Sequence, residues 1–317
     1  MAIYRKNPPQ LGEEIFLTDS GMETDLVFNK GFDLPYFGAF MLLKDPKGRA
    51  AIRDYCLEHA LLAKRRGLGF IFESATWRAS PDWGDKLGLD RAALEAANRD
   101  AIALVEEVRD EAALETPFVI SGNLGPRGDG YQPGSLMTAK EAEDYHSFQA
   151  EILADTAADL VTALTMNNAP EAIGVANAAA AAGMPCAISF TVETDGRLPS
   201  GQPLGEAIME TDFEARKAPA YYMINCAHPA HFTSVLREGG AWTPRLRGLR
   251  ANASKCSHAE LDEAETLDDG NPGELGLENA ALRRLVPSLT IFGGCCGTDL
   301  RHVAAIAAEL GRMEKAA

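Results

Sequence analysis

"SLTIFGGCCGTDLRHVAAIA", residues 288–307, holds a complete structural unit. An apolar, β-branched run ends in Gly293 and Gly294. A cysteine doublet, Cys295 and Cys296, follows, and Gly297 closes the turn. Beyond it apolar residues recur at three and four spacing. The stretch reads as a strand, a turn bearing reactive side chains, and a helix.

The same unit recurs upstream. Short apolar or β-branched runs lie at 15–19, 68–77, 118–126, 159–165, 186–192, 221–226 and 245–251; with 288–294 they make eight candidate strands. Helical patterns separate them. Residues 46–67 carry an apolar stripe that stops at Gly67, residues 91–114 repeat it, and Thr138 with Glu141 forms a capping box ahead of another helix. Eight alternations of strand and right-handed crossover helix predict an α/β fold, a single (β/α)8 TIM barrel spanning 1–317, with its active site at the C-terminal ends of the strands. The competing architecture is an open doubly wound sheet, but no G-x-G-x-x-G follows the first strand.

The bulk properties narrow the partners. The 317 residues carry a formal charge of −16. Phosphate backbones and anionic membranes are bound by clustered Lys and Arg, so neither nucleic acid nor a membrane surface is expected. No apolar run reaches the ~18 residues of a membrane span, and the N-terminal segment has no signal-like apolar core. The chain reads as cytoplasmic. Six cysteines are too sparse for a disulfide scaffold, so where they cluster they suggest metal or catalysis.

Adjacent residues of a strand point to opposite faces, so Cys295 and Cys296 converge only if the chain bends past the strand end, which the flanking glycines permit. Two sulfurs do not complete a zinc site. The best third ligand is Cys226, which ends the sixth candidate strand as the doublet ends the eighth. Alternate strands of a barrel contribute to one interior layer, so the three can meet at the catalytic rim. Three sulfurs with a vacant fourth position form a catalytic zinc pattern. A buried thiol beside a chance doublet, or a redox pair, fits the spacing as well. Cys56 and Cys186 read as packed hydrophobes, and Cys256 in a polar loop receives no role. His228 and His231 read as loop residues shaping a pocket, and the acidic stretch 258–276 as a solvated excursion or a mobile loop.

"GGCCGT" followed by "RHVAAIA", with "INC" upstream, resembles the three-cysteine signature of the homocysteine S-methyltransferase family. "TDSGMETDL", "SATWRAS", "SGNLGP" and "SFTVETDGRLPSGQPLGEAI" are similar to its other strand-end motifs. The resemblance implies a zinc-dependent methyltransferase that makes methionine from homocysteine and a small methyl donor, S-methylmethionine or S-adenosylmethionine. It carries Zn²⁺ onto Cys226, Cys295 and Cys296, a contact with the amino acid's ammonium onto Asp19, and pocket positions onto Gly122, Asn225 and Asn252. Three cysteine thiolates would leave the zinc centre negatively charged, so a fourth, incoming sulfur stays nucleophilic.

Three residues depart from the family pattern. Leu164 stands where a glutamate helps hold the ammonium, Glu73 stands where a threonine is usual, and Lys255 replaces a glutamate after the seventh strand. Strands two and four are alternate strands, so Glu73 is expected either to replace the missing carboxylate from across the barrel or to form a salt bridge to a neighbouring Arg or Lys. A related enzyme with another acceptor or onium donor is the alternative.

Overall fold

The computed structural model describes residues 1–316. Eight parallel strands close into a barrel in chain order, β1 (Phe16–Thr18), β2 (Gly69–Glu73), β3 (Phe118–Leu124), β4 (Leu160–Met166), β5 (Cys186–Phe190), β6 (Tyr221–Asn225), β7 (Leu246–Ala251) and β8 (Ile291–Gly294). Closure is made by Phe16 pairing with Ile291. The main helices around it are α1 (Pro46–Arg66), α2 (Arg91–Ala112), α3 (Ala139–Ala154), α4 (Ala169–Ala181), α5 (Leu204–Glu214), α6 (Pro229–Glu238), α7 (Pro272–Leu285) and α8 (Leu300–Ala316). Among the described residues no helix is long and apolar enough to cross a membrane.

The ends of these helices follow local chemistry. Asp45 caps α1 by accepting from the Gly48 amide, and Gly67 ends it in the left-handed conformation. The Thr138–Glu141 capping box opens α3. The stretch at 258–276 is not a plain loop: a short helix occupies His258–Asp262, and α7 begins at Pro272.

Inward positions alternate along each strand. Phe16, Ile71, Val119, Leu160, Tyr221, Met223 and Ile291 fill the lower barrel. The N-terminal segment covers that end, where Ile3 and Tyr4 donate their amides to Asp159 Oδ1 at 2.6 and 2.7 Å. The next layer up is polar and includes Thr18, Glu73, Ser121, Thr162 and Arg250, all buried. A fold sealed below and polar above leaves the C-terminal rim as the open end.

Gly293 and Gly294 serve close packing rather than unusual backbone angles. A Cβ on Gly293 would lie 1.9 Å from Thr18 Oγ1. The left-handed angles of the site fall instead at Gly297, with φ of 76°, and at two non-glycine residues, Thr165 with φ of 62° and Cys226 with φ of 53°. An L-residue there costs roughly 1–2 kcal/mol, which the surrounding hydrogen bonds must offset.

Candidate metal centre and pocket

The sulfurs of Cys226, Cys295 and Cys296 converge at the C-terminal rim. Cys226 Sγ lies 2.6 Å from Cys295 Sγ and 3.7 Å from Cys296 Sγ, and the three sulfurs lie within 4.8 Å of one another. Zinc–sulfur bonds of about 2.3 Å at tetrahedral angles set sulfurs about 3.8 Å apart. The Cys226–Cys296 pair meets that spacing, and the Cys226–Cys295 pair reaches it by parting by about 1 Å. Sulfur ligands suit zinc, so the donor set fits the metal.

Each cysteine is held by its element. The Cys295 amide donates to Ala251 O of β7 at 2.8 Å, and its carbonyl accepts from Thr298 Oγ1 at 2.7 Å. The Cys226 carbonyl accepts from His258 Nε2 at 2.6 Å, and His258 Nδ1 lies 3.0 Å from Glu193 Oε1. Asn225 accepts from the Thr165 amide and from Ser189 Oγ, and its Nδ2 points at Cys295 Sγ from 3.8 Å. Hydrogen bonds from Cys295 and Cys296 pull the Cys226 thiol well below its ordinary range. Cys295 is pushed up to about 12, first by its bond to Cys226. The trio thus accepts one negative charge readily and resists further ones until a cation compensates them.

A cavity of about 380 Å³ opens onto the sulfurs, lined by Glu23, Glu73, Trp77, Tyr131, Leu164 and Arg250 among others. Asp19 lies in its wall, but both oxygens are engaged. Oδ1 is 2.5 Å from Arg250 Nη1, and Oδ2 accepts from Tyr55 at 3.3 Å. Burial opposes the Arg250 charge, but Asp19 outweighs it and holds the guanidinium protonated beyond its usual range. Asp19 is thus the counter-ion of Arg250, and an ammonium contact there would share its oxygens with that pair.

Glu73 is different. It is 2% exposed, its Oε2 has no partner, and no ion pair reaches it among the described residues. Burial, only partly offset by Arg250, pushes its carboxyl up to about 7. Glu23 rises to about 7 through burial, with Cys295 and Asp19 adding to it.

The remaining predicted residues divide. Asn225 lines the cavity. Gly122 faces outward, where a Cβ would lie 2.7 Å from Leu153 of α3; its neighbour Asn123 faces the pocket. Asn252 is buried beside the lining, which on this segment comes from Arg250 and Ser254. Lys255 is exposed and pairs with Glu274 at 3.5 Å, so it takes no part. His228 and His231 also stay outside the cavity lining. Arg250, Tyr131 and His258 escaped the sequence reading. Arg250 gave no clear signal, because its strand carries arginines on both parities; Tyr131 sits in a segment without periodicity and His258 at the start of a five-residue helix.

A family model described as homocysteine S-methyltransferase matches residues 16–310, and the chain belongs to that family of methyltransferases. Homocysteine S-methyltransferase 2 of Arabidopsis thaliana is 22% identical over 260 residues, 74% of this chain and 77% of the plant protein. The oxidized form of the homocysteine methyltransferase MmuM from Escherichia coli is 20% identical, with a TM-score of 0.74 over 94% of this chain and 96% of its own. Its metallated form gives 0.72 at 21% identity, over 93% and 96%. At that identity the likeness concerns the fold.

Proposed function

We propose that the protein moves a methyl group from an onium donor to the sulfur of homocysteine, forming methionine, with zinc held by Cys226, Cys295 and Cys296. The observation that carries this reading is the meeting of three sulfurs from β6 and β8 on the wall of a cavity. When bound, zinc supplies the Lewis acidity that keeps an acceptor thiol deprotonated at neutral pH.

In the transfer, a lone pair of the acceptor sulfur forms the new bond to the methyl carbon. The bond from that carbon to the donor sulfur breaks, and its electron pair stays on the donor, which becomes a neutral thioether. The acceptor's proton has already left to solvent. Opposite charges neutralise one another, so a pocket that excludes water favours the step. The aromatic wall of Trp77 and Tyr131 serves that exclusion, and Asn225 steadies the charge on Cys295.

Glu73 takes the acceptor's ammonium in this reading. Its buried, unpartnered Oε2 lacks a donor, and a cation beside it would favour its ionised form. The cavity volume lies at the lower end of ligand pockets, which favours S-methylmethionine over the bulkier S-adenosylmethionine. A second reading, an acceptor thiol without an amino group, is favoured by Leu164 and by the Asp19–Arg250 pair.

The test is zinc-loaded protein incubated with homocysteine and each donor, followed by mass spectrometry. S-methylmethionine should give two methionines for each donor consumed, and 3-mercaptopropionate should react far more slowly. Methylation of 3-mercaptopropionate in preference to homocysteine would select the second reading, and no methylated thiol with any donor would overturn both.

A further inference from the structure

Tyr131 lies in the segment between β3 and α3, a region rich in glycine and proline. Its hydroxyl is 3.4 Å from Cys226 Sγ and 3.9 Å from Cys296 Sγ. In a tetrahedral site with zinc–sulfur bonds of about 2.3 Å and a zinc–oxygen bond of about 2.0 Å, an oxygen ligand sits about 3.5 Å from each sulfur. The phenol oxygen meets that spacing toward Cys226 and comes within about 0.4 Å of it toward Cys296, two of the three sulfurs.

Its position is built, not incidental. Arg78 Nη1 donates to Gly128 O at 2.9 Å, and Asn167 Nδ2 donates to Asp129 O at 2.9 Å, fixing the backbone just before the tyrosine. Gly130 allows the loop to lie on Thr165, where a Cβ would come within 2.8 Å of Cγ2. The ring stacks on His258 with centroids 4.1 Å apart and planes 22° from parallel. His258 is bonded to the Cys226 carbonyl, so the stack ties the phenol ring to the backbone of a metal-binding cysteine.

We propose that the Tyr131 oxygen fills the fourth corner of the three-cysteine metal site at rest and is displaced by the acceptor sulfur. The inference rests on the metal-binding part of the function proposed above and is independent of which thiol is the natural acceptor. The backbone is pinned, so displacement is a tilt of the ring off His258 rather than an opening of the loop. The arrangement keeps water from the metal corner until a thiol arrives, and it lowers the affinity for thiols by the strength of the bond it replaces.

The test compares wild type with Tyr131→Phe, both loaded with cobalt(II) and titrated with 2-mercaptoethanol, a probe that needs no amino-acid pocket. The sulfur-to-cobalt charge-transfer band reports thiol entry. The variant should half-saturate at about tenfold lower thiol, because water is displaced more readily than a tethered phenol, and its thiol-free zinc affinity should fall by about the same factor. Equal half-saturation in the two proteins, or weaker thiol binding by the variant, would overturn the proposal while leaving the three-sulfur site standing. Loss of metal from the wild type itself would instead remove that site and the inference with it.

Discussion

Arg250 of β7 meets Asp19, just beyond β1, at 2.5 Å inside the barrel, and both side chains are almost fully buried. The pair sits beneath the sulfurs, and Arg250 also donates to Thr18 Oγ1 and the Ser20 carbonyl. A buried ion pair is costly to assemble and costlier to break, because one charge is left without its partner. It makes the first-strand aspartate the counter-ion of a buried arginine.

Asp19→Asn should therefore destabilise the protein by about 3–5 kcal/mol, while Asp19→Asn combined with Arg250→Met should recover much of the loss. Urea unfolding of the single and double variants measures both. A single variant as stable as wild type would mean that Arg250 finds another counter-ion.

Glu73 gives a pH signature. Its folded value of about 7 stands above the ordinary 4.5, so the neutral form is favoured by folding. That stabilisation is complete below about pH 4.5 and is lost as pH rises through 7. Glu73→Gln, neutral at all pH, should match metal-free wild type near pH 4 and exceed it near pH 8 by about 3 kcal/mol. Denaturant midpoints at the two pH values check this.

The same substitution should weaken homocysteine binding. Losing the buried partner of an ammonium costs about 2–5 kcal/mol, so KM should rise by at least about 30-fold with a smaller change in kcat. Steady-state kinetics in both substrates separate the two effects. An unchanged KM would remove Glu73 from the ammonium site.

His258 bonds the Cys226 carbonyl on one side and Glu193 on the other. Its replacement by leucine should weaken zinc binding by about 10–100-fold, as loss of an orienting partner does elsewhere. Competition with a chromogenic chelator reads this directly.

The barrel was legible because eight apolar runs repeat with helices between them, and such a pattern closes in few ways. The cysteines were legible because β6 and β8 are alternate strands, so their ends share a layer. The pocket was less so. Gly122 and Asn123 differ by one position, and a one-residue shift in parity exchanges the inside of a barrel for the outside. In "RLRGLRA" the arginines at 245, 247 and 250 fall on both parities, and the pairing of β6 with β7 shifts between Tyr222 and Met223, so period-two reading could not assign Arg250 inward. Tyr131, in a loop, and His258, at the start of a short helix, come together from segments distant in sequence, and their stacking has no local signature.

The most direct test of the zinc-centred account is X-ray absorption at the zinc edge, with and without homocysteine. The account predicts three sulfur neighbours and one oxygen in the free protein, changing to four sulfurs at about 2.3 Å when homocysteine is added. A coordination shell that ignores homocysteine, or one lacking three sulfurs from the start, would contradict it.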